Sequence, residues 1–199
     1  MPNSNEIIAV LKITERCNIN CKYCYIFNKE SDLYATKPKQ MSYETARSIA
    51  QFLSRGASDF KAGSVHIIFH GGEPTMMRPA DFARLCELFL SLGNDAVKVR
   101  LSLQTNAMLI DSVWIDLFSK YRVSTGVSLD GDKESNDISR VDHIGRGTYD
   151  RTLVGTRLLM DAAAKNRITP PGVLCVIDTK QNGAAVFRHL ACDIGFSNI

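Results

Sequence analysis

Short β-rich runs alternate with helical patterns along almost all of this 199-residue chain, and that alternation constrains its fold more than any other feature. Strands are expected at Ile7–Ile13, Val65–Phe69, Val97–Leu103, Val123–Leu129 and Val173–Ile177, and Gly195–Ile199 reads as the start of a sixth. Between them fall helical runs from Ser42 to about Leu53, over 79–92, from Asp111 through Phe118, from about Tyr149 to Lys165, and from Ala184 to about Asp193. In the second of these, Phe82, Leu85, Leu88, Phe89 and Leu92 keep the 3.6-residue period of a helix with one buried face. Strand–helix alternation at this spacing implies an α/β fold with a parallel sheet and right-handed crossovers. Pattern alone does not separate a barrel from an open doubly wound sheet. Both place their chemistry at the C-terminal ends of the strands. The unusual polar clusters stand there: a cysteine loop, Gly71-Gly72-Glu73, Gln104-Thr105-Asn106 and Ser128-Leu129-Asp130-Gly131.

Composition narrows the function classes. The net charge is +3, and Lys and Arg are scattered, so there is no nucleic-acid footprint. No apolar run approaches the roughly 20 residues of a membrane helix, and Met1–Glu6 lacks the pattern of a signal peptide. A cytoplasmic protein without a membrane partner is expected. In a reducing compartment its six cysteines are not expected to pair as disulfides. Three of them lie within eight residues, while Cys86, Cys175 and Cys192 are dispersed. Cys86 and Cys175 read as core residues, because free cysteine buries readily.

The clustered three, Cys17, Cys21 and Cys24, have CxxxCxxC spacing in a long loop from Thr14 to about Gln40. Thiolates so spaced reach three corners of a metal cube and leave the fourth iron without a protein ligand. Soft thiolates suit iron–sulfur clusters or zinc. A structural zinc site wants four closed ligands, and His66 or His70 is a candidate fourth.

This motif, with Tyr23 before its third cysteine, resembles the radical S-adenosylmethionine (SAM) superfamily. The resemblance implies a partial (β/α)6 barrel and a [4Fe–4S] cluster on Cys17, Cys21 and Cys24. It implies SAM on the open iron, cleaved by one electron to a 5′-deoxyadenosyl radical that abstracts hydrogen from substrate. Gly71-Gly72-Glu73-Pro74 matches the family's Gly-Gly-Glu motif and is expected to meet the SAM amino group. Ser128 and Arg140 match a serine and an arginine that meet SAM in the sulfatase-maturase branch, the arginine pairing with the carboxylate, and Tyr23 matches the aromatic residue near adenine.

The runs F-H-G-G-E-P-T, L-Q-T-N and V-S-L-D-G are similar to that maturase branch, which modifies side chains of proteins or ribosomal peptides. A flavodoxin- or ferredoxin-type electron donor is implied. Tyr25, His70, Gln104 and Asn106 are candidates for the substrate cavity, with local strand-end capping as the alternative for the last three. Asp130 is either a turn residue or an acid near SAM. Residues 1–199 are expected to form one radical SAM core domain that stops at or in its sixth strand, without the cysteine-rich C-terminal region of the branch. Two alternatives stand beside this enzyme: a non-catalytic module that binds cluster or SAM, and a zinc-stabilised α/β domain.

Overall fold

The computed structural model describes residues 5–28 and 36–199. Five strands, β1 (Glu6–Thr14), β2 (Ser64–Gly71), β3 (Lys98–Thr105), β4 (Val123–Ser128) and β5 (Gly172–Leu174), form one sheet in sequence order, all parallel. The sheet is open, as in a partial barrel. Helices α1 (Tyr43–Asp59), α2 (Pro79–Leu90), α3 (Ser112–Tyr121), α4 (Lys133–Ser139) and α5 (Tyr149–Ala164) make the crossovers, and α6 (Gly183–Arg188) follows β5.

Side chains on successive strand positions alternate in burial. Val65, Ile67 and Phe69 of β2 are buried, while His66, Ile68 and His70 between them stay partly open. Strands covered on both faces read as continuous apolar runs; this alternation marks a sheet with one covered face and one open face. The covered face meets an aromatic cluster centred on Phe82 of α2, whose ring stands edge-on to Phe69 at 5.0 Å and to Trp114 at 5.2 Å. Cys86 joins this core, Cys175 packs partly buried against it, and Cys192 is exposed.

The expected helix starts hold where a side chain caps them. Ser42 accepts from the Thr45 N–H at the start of α1, and Asp111 accepts from the Trp114 N–H at the start of α3. Three expectations need correction. The stretch between Gly131 and Tyr149, where no helix is expected, contains α4, started by Asp132 accepting from Ser135 N–H. The fifth strand stops at Leu174 rather than Ile177, because the Val176 N–H turns to the Asp130 carboxylate instead of continuing a ladder. Gly195–Ile199 is not a strand: Gly195, at φ 93°, ends a π-helical turn over His189–Ile194, and the Asn198 carbonyl reaches β5, accepting from Val173 N–H at 2.8 Å.

One close contact ties α5 to the sheet. A Cβ placed on Gly155 would lie 1.8 Å from the Ala107 carbonyl oxygen. Gly155→Ala should therefore push α5 off the end of β3 and cost about 3 kcal/mol or more, at the upper end of overpacking penalties. Urea denaturation at unchanged m-value would measure it.

Candidate radical-chemistry site

The C-terminal strand ends meet at a pocket of about 150 Å³. Its walls bring together all thirteen residues singled out for cluster, SAM and substrate: Cys17, Cys21 and Cys24; Tyr23 and Tyr25; His70, Gly71, Gly72 and Glu73; Gln104 and Asn106; Ser128 and Arg140. Wider hollows of about 450 and 990 Å³ open at the other end of the sheet, around Gly63 and Val97, but no cysteine lines them. His66 does not reach the thiols. It sits four residues before His70 on β2 and bonds Ser102 Oγ at 2.9 Å. At about 3.3 Å per residue that is some 13 Å away, so His66 is no fourth ligand for zinc. Among the described residues, no three thiol, imidazole or carboxylate groups converge on a single metal ion.

Gly71, which ends β2, and Gly72 just after it serve the root of the cysteine loop. A Cβ on Gly71 (φ 132°) would lie 2.3 Å from the Thr14 carbonyl oxygen, and one on Gly72 would lie 2.1 Å from that of Arg16. Their absence lets the Gly72 N–H reach Thr14 O at 2.9 Å and the Glu73 N–H reach Arg16 O at 2.8 Å. The close approach allowed by the Gly-Gly pair is thus made to the chain itself.

Glu73 is almost wholly buried at 1% exposure. Its Oε1 accepts from Thr75 N–H, Thr75 Oγ1 and Thr105 Oγ1, and its Oε2 accepts from Asn106 N–H at 2.7 Å. An ionised carboxylate has about four acceptor positions, two on each oxygen. Oε1 is therefore saturated, and Oε2 keeps room for one more donor. The Asn106 side chain donates to Asn18 Oδ1 and accepts from Met108 N–H, so its bonds cap the strand end and anchor the cysteine loop. Gln104 Nε2 donates to Ser128 Oγ at 2.8 Å across Gly126, where a Cβ would strike the Gln104 amide at 2.3 Å. His70 Nδ1 accepts from Gly71 N–H, and Tyr25 is 67% exposed at the mouth.

A second wall pins the cysteine loop, one that sequence patterns did not indicate. Asn20 N–H donates to Val141 O and Lys22 N–H to Ser139 O, while the His143 ring nitrogen Nε2 meets the Cys17 carbonyl at 2.9 Å. This wall is held by Asp142, which accepts from the N–H groups of Ile144 and Arg146 and from the side chains of Arg146 and Arg151. These bonds, the Arg146 amide first, hold its carboxyl down at about 2 from an ordinary 3.8. A depressed folded value means that the contribution is complete above about pH 4 and is lost as pH falls through about 2. The Ile144 and Arg146 amide resonances should titrate with a midpoint near 2 in an NMR pH series, and Asp142→Asn should abolish that step.

Burial pushes the Cys17 thiol up to about 12, with Glu73, Cys21 and Cys24 adding to the effect, and burial likewise raises Cys21 against the pull of Arg140. Without metal these are protonated thiols, so loading them with iron must release protons. Cys175, also raised by burial, to about 11, is a thiol at neutral pH.

Arg140 follows α4 and is 6% exposed. Its Nη1 donates to Tyr23 Oη at 2.8 Å, while its buried Nε has no partner. A buried guanidinium donor left unpaired costs free energy unless an acceptor arrives. Three soft thiols, a buried carboxylate with spare capacity and a guanidinium with an unpaired N–H, all from residues that line one pocket, fit an iron–sulfur cluster beside a zwitterionic ligand such as SAM.

Known proteins resemble the chain over most of its length. The chain is 30% identical over 175 residues to a cysteine-type anaerobic sulfatase-maturating enzyme of Clostridium perfringens, covering 87% of this chain and 45% of the relative. It is 30% identical over 154 residues to a serine-type anaerobic sulfatase-maturating enzyme of Klebsiella aerogenes, covering 76% of this chain and 36% of the relative. The solved structure of native anSMEcpe with bound AdoMet superposes with a TM-score of 0.77 at 27% identity, over 96% of this chain and 51% of that one. The chain thus spans about half or less of the length of these proteins. The profile described as the Radical SAM superfamily matches residues 11–174. With the profile over most of its length and the motif residues gathered in one pocket, the chain belongs to the radical SAM superfamily.

Proposed function

We propose that this chain forms the core of a radical SAM maturase that holds a [4Fe–4S] cluster and SAM and acts on a side chain of a protein or peptide. The observation that carries the reading is the single pocket lined by the three thiols and by Arg140, a guanidinium whose buried Nε has no partner. Cys17, Cys21 and Cys24 would hold the cluster. The spare capacity of Glu73 Oε2 and the backbone of Gly71 and Gly72 suit the SAM ammonium, and Arg140 suits its carboxylate, a planar donor fork against a planar acceptor. Ser128 accepts its bond from Gln104 and so retains its own hydroxyl proton for the ligand. When bound, cluster and SAM supply a radical that abstracts hydrogen from the substrate. The protein's part is to hold, orient and exclude water.

The peptide substrate class is supported by relatives named as sulfatase-maturating enzymes and by a related structure, 26% identical, described as native anSMEcpe with bound AdoMet and Kp18Cys peptide. Tyr25 and His70 stand at the mouth such a peptide would enter. A flavodoxin- or ferredoxin-type protein would deliver the electron. No described helix is long and apolar enough to cross a membrane, and we place the protein in the cytoplasm.

Anaerobic reconstitution with iron and sulfide, followed by dithionite and SAM, tests the reading by quantifying 5′-deoxyadenosine. Formation that depends on the cluster supports it. A fully iron-loaded protein that binds SAM without product favours the non-catalytic module instead, and zinc in place of iron and sulfide overturns both.

A further inference from the structure

We infer that Asp130 is a positioning residue for the SAM site, acting through Tyr23 to hold the Arg140 guanidinium; this rests on the SAM-binding reading above. Asp130 follows β4 at 3% exposure. Its Oδ2 accepts from the Tyr23 hydroxyl at 2.6 Å, and its Oδ1 accepts from Val176 N–H at 3.0 Å. Its own N–H reaches Asn136 Oδ1 in α4. Arg140 Nη1 donates to the same Tyr23 oxygen at 2.8 Å.

The direction of this chain is forced. A guanidinium can only donate, so the Tyr23 oxygen must accept from Arg140. Tyrosine has one hydroxyl proton, and it goes to Asp130. The result is a chain of cation, phenol and anion, the two charged groups buried and the phenol partly exposed, spanning the cysteine loop, the segment after α4 and the end of β4. The orphaned Nε is then among the donors that Arg140 keeps for a ligand. Through Val176 the same carboxylate fastens the chain just beyond β5, which explains why that strand ends early.

Asparagine at 130 removes the anion that balances Arg140. If its carbonyl keeps the Val176 N–H, its amide turns a second donor on Tyr23. Phenylalanine at 23 removes the relay between the two charges. Both changes free the guanidinium without touching a thiol. A plain turn staple at Asp130 would instead act on the stability of the fold.

The test compares wild type, Asp130→Asn, Tyr23→Phe and the double variant after reconstitution. Iron per chain and the electron paramagnetic resonance spectrum of the reduced cluster report cluster retention. The spectral change on titrating SAM reports its affinity. Each single variant should keep wild-type iron and cluster spectrum but bind SAM about 10–100-fold more weakly, the scale of losing an outer-shell partner. The double variant should be no weaker than the weaker single, because both changes break one chain. Wild-type SAM affinity in Asp130→Asn, multiplicative losses in the double variant, or losses that only follow iron content and melting temperature would each overturn the positioning role. An iron-loaded wild type that gives no response to SAM would overturn the SAM-binding reading itself, and this role with it.

Discussion

Cys21→Ala should bring SAM cleavage to background, forfeiting at least about 10³ of the 10⁶-fold or greater acceleration typical of enzymes. Cys21 is the middle thiol of the three and the most buried, at 8% exposure. Two thiols cannot secure three corners of a cluster, and iron per chain should fall with the activity. The fold should survive, because the loop is held by backbone bonds that alanine keeps: Cys24 N–H to Cys21 O, Asn20 N–H to Val141 O and Lys22 N–H to Ser139 O. Circular dichroism and thermal melting of the metal-free variant should match metal-free wild type to within about 1 kcal/mol. Product formation by Cys21→Ala at wild-type rate would end the cluster assignment.

Gly72→Ala should be strongly damaging. Its new methyl would lie 2.1 Å from the Arg16 carbonyl oxygen and 2.5 Å from its carbon. Both are backbone atoms, so no side chain can swing aside, and relief requires parting the end of β2 from the cysteine loop. The Glu73 N–H bond to Arg16 would go with it. A loss of about 3 kcal/mol or more is expected, beyond the ordinary range of overpacking, together with impaired iron uptake. Gly56→Ala is the matched control. Gly56 lies inside α1, where its Cβ would make only an ordinary contact of 3.7 Å with Ile7. There alanine should stabilise by about 0.5–1 kcal/mol by restricting the unfolded chain. Paired denaturation curves decide the matter: equal effects at the two sites would mean that the contact at Gly72 is not tight.

The strand–helix order, the parallel sheet and the cysteine loop were legible because each rests on local chemistry. The apolar alternation of β2, the period of α2 and the capping side chains of α1 and α3 act within a few residues of themselves. Except for Arg140, which the resemblance alone singled out, the candidate residues were legible as types at or just after strand ends, and the α/β alternation requires those ends to share one rim. Helix α4 was not legible: its run Lys133-Glu134-Ser135-Asn136-Asp137 has no apolar period, and its buried residue is the polar Asn136. That helix nevertheless delivers Arg140 to the pocket. The early end of β5 was hidden for a related reason, since Val173 to Ile177 has the composition of a longer strand.

Sequence by itself indicated which groups stand at the rim: thiols, a glycine pair, a carboxylate and a hydroxyl by their place after strands, and a guanidinium through the resemblance alone. It could do so because side-chain chemistry and strand–helix order are properties of the chain. Only the tertiary structure decided what each group has left to give. Glu73 has one oxygen saturated, Asn106 is engaged with Asn18 and Met108, and Arg140 keeps a free Nε while Tyr23 and Asp130 hold it in line. Beyond local caps such as Met108 and Thr75, those partners lie from 32 to 117 residues apart, and no pattern within a short window carries bonds across such distances. Hydrogen-bond capacity is finite, so only the folded contacts show which donors and acceptors remain for a ligand.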